Sequence, residues 1–154
     1  NVYSYGNYYT WAAAMANTGY YEVSSVAEAA GTSICPTGWV LPSAKGTDKD
    51  FDLLAKRYGA TGVQNGNSAI TMINRFSAFP NNFVLARYFY YSSADDKSTE
   101  GFYLSRSLEN TSMVGTCNLI LSMERKSSPY FYASLAQLND KYYGQSVRCL
   151  VAGS

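Results

Sequence analysis

The sequence predicts an α+β domain in which two or three helices pack on a twisted antiparallel sheet, and three observations predict it. The first is length: 154 residues suffice for a single core, since a chain of about 150 residues buries roughly two thirds of the surface it exposes when unfolded. No internal repeat or linker divides residues 1–154. The second is a change of period. Apolar residues up to Asn82 recur at helical spacing, whereas beyond it they alternate as strands do. The third is the order of these segments, helices first and antiparallel strands after, which is that of an α+β fold.

The opening residues 1–9 are aromatic and β-prone, and residues 10–16 (TWAAAMA) have the small-residue composition of a short helix that Thr10 would cap. Residues 17–33 are rich in Gly, Ser and Ala without a sustained period, so they read as a loop with at most a helical turn at 26–30. Cys35-Pro36-Thr37-Gly38 supplies a turn, and Trp39-Val40-Leu41-Pro42 a short extended piece that proline stops. Residues 43–59 carry the clearest helix: Phe51, Leu54, Ala55 and Tyr58 share a face, acids lie in the first turn, and Gly59 stands where a C-cap belongs.

A second helix is expected over 68–76, with Ala69, Ile70, Ile73 and Phe76 on one face, before Phe79-Pro80-Asn81-Asn82 turns the chain. Strands follow at 83–91, 101–108, 116–123, 130–138 and 145–151. In the last of them Val147, Cys149 and Val151 share a face that would point inward. Trp11 and Trp39 are assigned to the core.

Twelve basic side chains nearly cancel eleven acidic ones, which leaves no electrostatic footprint for nucleic acid or an anionic membrane. No apolar run approaches the ~20 residues that span a bilayer, so direct membrane insertion is not expected. The chain opens at Asn1 without a secretion signal, as an exported fragment trimmed of its leader or anchor would. Histidine is absent, which removes the commonest general base and metal ligand together. Tyrosine occurs 15 times among abundant Ser, Gly and Asn, a mixture that gives large contact area at low entropic cost; half-buried strands also favour tyrosine. The three cysteines allow either one bridge with a thiol left over or three reduced thiols. A Cys35–Cys149 bridge would close a loop long enough to stabilise by ~3–5 kcal/mol.

Tyr8-Tyr9-Thr10-Trp11 before a small-residue helix, Ile34-Cys35-Pro36-Thr37-Gly38-Trp39-Val40-Leu41-Pro42-Ser43, and Tyr143-Gly144-Gln145-Ser146-Val147-Arg148-Cys149 together resemble the Fibrobacter succinogenes major paralogous domain. These stretches bracket nearly the whole chain. The resemblance implies a bacterial surface domain of C-type-lectin-like fold in which Cys35 and Cys149 form the characteristic bridge. The family usually has a Tyr-Trp-Ser-Ser-Thr strand and an Ala-Tyr-x-Leu-x-Leu strand; here Tyr103-Leu104-Ser105-Arg106-Ser107 and Thr116-Cys117-Asn118-Leu119-Ile120-Leu121 take their places. The atypical residues Leu104, Arg106 and Leu108 alternate along one strand, and Asn118 and Ile120 along the next, so each set shares a face. One-faced variation on C-terminal strands is similar to that of the variable proteins of diversity-generating retroelements, whose scrambled codons would also account for Cys117.

The expected contact set is therefore Leu104, Arg106, Leu108, Asn118, Ile120, Tyr130 and Tyr132, whose Arg and aromatic members suit binding hot spots; the alternative for Leu104 and Ile120 is a place in the core. The partner expected is a protein or glycan on another cell's surface, met outside the cell, with no cofactor and no catalysis. The alternative is a structural surface-layer or pilus-associated module with no exchangeable ligand. A calcium site of the lectin type would need a Glu-Pro-Asn or Gln-Pro-Asp tripeptide, which is missing, and Leu138-Asn139-Asp140 matches the companion strand only faintly. Asp95, Asp96 and Glu100 read as a solvated turn before a cation site. A copper oxidase needs two neighbouring reactive thiolates, and a Cys35–Cys149 bridge would leave only Cys117.

Overall fold

The computed structural model describes residues 6–16, 33–44, 46–60, 62–86, 99–109, 115–123, 129–140 and 143–152; for 108–109, 115–118 and 134–140 the description is of backbone alone. Among these residues are three helices, α1 (Trp11–Ala14), α2 (Asp50–Arg57) and α3 (Gly66–Ser77). They also form six strands: β1 (Trp39–Val40), β2 (Gln64–Asn65), β3 (Glu100–Glu109), β4 (Gly115–Ser122), β5 (Tyr130–Asp140) and β6 (Leu150–Val151).

Local chemistry sets the helix bounds. Thr10 caps α1, its Oγ1 accepting from Ala13 N at 3.3 Å, and Ala16 ends the turn with φ at 50°. The helix expected over 43–59 begins only at Asp50. Asp48 has φ at 60°, and Ser43 folds back onto the first turn, donating from N and Oγ to Asp50 Oδ2 at 2.8 and 2.9 Å. Within α2 the anticipated face is the buried one: Phe51 and Ala55 are in the core, Leu54 and Tyr58 pack against it, and Gly59 leaves the helix at φ 88°. In α3, Ala69, Met72, Ile73 and Phe76 are buried.

Strands β2-β5-β4-β3 form an antiparallel sheet in that order, and β1 pairs with β6 separately. Beyond β3 the sheet is prolonged by single bridges: Ser146 runs parallel to Tyr103, and Tyr9 runs antiparallel to Gln145. Alternation sends Tyr103, Leu119, Leu121, Phe131 and Ala133 into the cluster shared with α2, α3 and Phe83. The opposite face carries Phe102, Ile120, Tyr130 and Tyr132 in one cluster, and Leu104 with Trp11, Ala14, Met15 and Leu41 in another.

Three expectations are corrected. Residues 83–86 are not a strand; their backbone is satisfied otherwise, Phe83 N donating to Phe76 O and Val84 O accepting from the Tyr103 hydroxyl at 2.7 Å. Residues 87–91, expected to continue it, lie outside the described residues, as do the opening residues 1–5 and the loop over 17–32. The strand expected over 145–151 is two bridges followed by β6, with an irregular stretch between, and Val151 is 51% exposed, so no single inward face forms. Trp39 is 46% exposed, not core, because a two-residue strand offers nothing to cover an indole; Trp11 is buried and donates Nε1–H to Ser105 O at 3.0 Å.

Candidate functional site

A disulfide joins Cys35 to Cys149, their Cα atoms 5.8 Å apart across a sequence separation of 114. It fastens a turn that is tied from several sides. Ile34 N donates to Ala14 O at the end of α1, Trp39 N to Pro36 O across the turn, and Ala152 N to Gly38 O, each at 2.9 Å. Gly38 takes φ 81°, a conformation that a residue with a Cβ adopts only under strain. The Trp39↔Val151 and Val40↔Leu150 pairs complete the brace.

Beside the brace lies a cleft of about 270 Å³ lined by Met15, Cys35, Thr37, Trp39, Leu41 and Arg106 among others. Met15 and Leu41 are buried and contribute apolar surface. Arg106 reaches the cleft because β3 bulges: its register with β4 shifts between Leu104 and Leu108. Within the bulge Arg106 N donates to Pro42 O at 2.9 Å, Ser107 N to Ser105 Oγ at 3.1 Å, and Ala44 N to Ser107 Oγ at 2.9 Å. Bulges commonly re-aim a side chain in this way. The Arg106 side chain is 31% exposed, with Nη2 3.8 Å from Asp50 Oδ2.

The expected contact residues do not converge. Leu104 and Ile120 are 0% exposed and are corrected to core: Leu104 packs with Trp11 and Met15, Ile120 with Phe102 and Tyr130. Tyr130 is buried and meets the half-buried Tyr132 edge to face, ring centroids 5.0 Å apart. By backbone register Leu108 stands opposite Thr116, Asn118 opposite Leu104 and Leu135, and Cys117 opposite Ala136; their side chains lie outside the description. Asp95 and Asp96 also lie outside the described residues, while Glu100 accepts from Ser122 Oγ at 2.7 Å. Among the described residues no three His, Cys, Asp or Glu side chains gather as a metal site would require.

Sequence reasoning also placed Trp39 wrongly, in the core. Its signal was available, since Gly38 and Pro42 leave room for only a very short strand there. No protein-family model, curated protein or solved structure matches the chain.

Proposed function

We propose that this domain is an extracellular recognition module of C-type-lectin-like kind, related to the Fibrobacter succinogenes major paralogous domain, that binds a protein or glycan partner without a cofactor. One observation carries the reading: an exposed tryptophan and an arginine line the same cleft on a disulfide-braced turn. Trp, Tyr and Arg are the side chains over-represented where binding energy concentrates, and a braced turn presents them at low entropic cost. A disulfide fits an oxidising compartment, and no described helix is long and apolar enough to cross a membrane. Recognition rather than catalysis is favoured by a sequence without histidine. The burial of Leu104 and Ile120 narrows any diversified surface to the remaining members of the expected set and to what surrounds Arg106 and Tyr132.

The test is a binding screen of the chain against cell-surface proteins and glycans, repeated with Arg106→Ala and Tyr132→Ala. Saturable binding by the parent, weakened at least tenfold by one substitution, is the expected outcome; a parent that binds nothing removes the proposal.

A packing role is the second reading. It is favoured by the cross-strand pair of Trp39 and Val151, 46% and 51% exposed, which offers apolar surface to a neighbour. Sedimentation showing concentration-dependent self-association lost in Trp39→Ser would support it.

A further inference from the structure

We infer that the ends of α2 and α3 form a second binding site, which takes a sulfate or phosphate ester carried on a saccharide. This site has no described residue in common with the cleft beside the disulfide, so it goes beyond the recognition reading above.

Position is the first argument. Arg57 lies in the last turn of α2 and Arg75 in the last turn of α3, and with Tyr58 and Gly59 they line one open cleft of about 340 Å³. Helix C-termini attract cations, but that attraction does not require side chains of two helices to meet at one place. Arg75 is fixed where it stands. Its Nη1 donates to Tyr58 O at the end of α2, and Gly59 leaves it room, since a Cβ there would come 3.2 Å from Nη1. The bond engages one arm of the fork and answers the partial charge of the carbonyl, so an arriving anion meets guanidinium at that point.

Charge is the second. The acids nearest in sequence are engaged elsewhere: Asp48 and Asp52 hold Lys56 Nζ at 2.7 and 2.8 Å, and Asp50 Oδ2 accepts from Ser43 N and Oγ. Both arginines are exposed. A carboxylate presents its oxygens in one plane and is matched by a single guanidinium. A sulfate or phosphate ester presents its oxygens around a tetrahedral centre and accepts from guanidiniums on more than one side.

The carrier is the third. Asn81 ties the turn after α3 to the same residues, its Oδ1 accepting from the Tyr58 hydroxyl at 2.9 Å and its Nδ2 donating to Arg75 O at 3.1 Å. That turn holds Phe79 out to solvent, 87% exposed. An aromatic ring presented on a turn fastened to the arginine suits a sugar, whose C–H face packs on an apolar surface while its ester reaches the cations. A phosphorylated peptide would instead seek a strand edge or a groove for its backbone, and two helix ends and a turn provide neither.

The disulfide-intact chain is titrated by calorimetry with a sulfated oligosaccharide and with the same oligosaccharide bearing phosphate instead. Its unesterified parent, a carboxylated analogue of equal charge and a phosphoserine peptide are the comparisons. The expected result is saturable binding of at least one ester, at least tenfold weaker binding of the three comparisons, and weakening as salt is raised; the tighter ester identifies the group. Arg57→Gln should cost at least fivefold. Arg75→Gln should cost as much, with thermal unfolding measured alongside because its bond to Tyr58 O is lost. Lys56→Gln removes the same charge one position away, where Asp48 and Asp52 hold it, and should change affinity less than twofold. Phe79→Ser should weaken the oligosaccharide at least threefold.

Equal binding of the unesterified or carboxylated probe, preference for the peptide, unchanged affinity in folded Arg57→Gln, an equal loss in Lys56→Gln, or indifference to Phe79→Ser would overturn the inference. No response to either ester would overturn it too, while leaving the recognition reading, tested at Arg106 and Tyr132, standing.

Discussion

Gln145 is fully buried, and although its backbone exchanges two 2.9 Å hydrogen bonds with Tyr9, neither end of its side-chain amide has a partner among the described residues. An unsatisfied buried amide costs about 1–3 kcal/mol. Replacing it with the similarly shaped Gln145→Met is therefore expected to leave stability unchanged or raise it by about 1 kcal/mol, measured as the urea midpoint at constant slope. A destabilisation above about 1 kcal/mol would mean that the amide is hydrogen-bonded in the folded protein. Tyr103 gives the opposite case. Burial pushes its hydroxyl well above the ordinary range, partly offset by its hydrogen bond to Val84 O and by the charge of Arg148. The folded state thus keeps the proton that the unfolded chain gives up near pH 10, and stability falls as pH rises past that value. Tyr103→Phe should cost about 1 kcal/mol at pH 7 and flatten the decline above pH 10, read from urea titrations at both pH values.

At the scale of elements, β3 is closely approached by the 83–86 segment at Gly101. A Cβ at Gly101 would sit 2.9 Å from Val84 O and 3.3 Å from Tyr103 Cε2, and a backbone oxygen does not swing aside as a side chain does. Gly101→Ala is expected to cost about 1–3 kcal/mol, with thermal unfolding as the measure; an unchanged midpoint would show that residues 83–86 yield. The packing faces of α2 and α3 were legible in the sequence because a helix buries residues at a fixed period, and Phe51, Ala55, Ala69, Ile73 and Phe76 keep it. Strands β3 to β5 were legible for the same reason at period two. The bulge that aims Arg106 was not, since two of the bonds that hold it reach back from Arg106 to Pro42 and from Ser107 to Ala44, partners remote in sequence from the strand. The exposure of Trp39 had a signal in Gly38 and Pro42, which the indole's hydrophobicity outweighed; hydrophobicity predicts burial only where some other element is available to cover the side chain.

For the whole molecule the disulfide is the strongest single constraint. It closes a separation of 114 residues, for which loop entropy gives a contribution of ~4–5 kcal/mol. The double substitution Cys35→Ser with Cys149→Ser is expected to lower unfolding free energy by about 2–5 kcal/mol, and to loosen the turn that holds Trp39 before the main sheet yields. Hydrogen exchange would show this as protection lost first at Trp39, Val40 and Ala152; uniform loss would contradict it. The resemblance indicated which cysteines join, while the cleft beside them emerged only once α1, the turn and the bulge of β3 were seen together. The pairing of Tyr9 with Gln145 and of β1 with β6 has a temporal corollary. A ribosome delivers residues 9 and 39 more than a hundred positions ahead of these partners, so the two pairings wait until synthesis has reached residues 145 and 151, long after Trp11 has met Ser105 and Leu104. Until then the two ends of the chain stay unjoined, and their closure is among the last events of its folding.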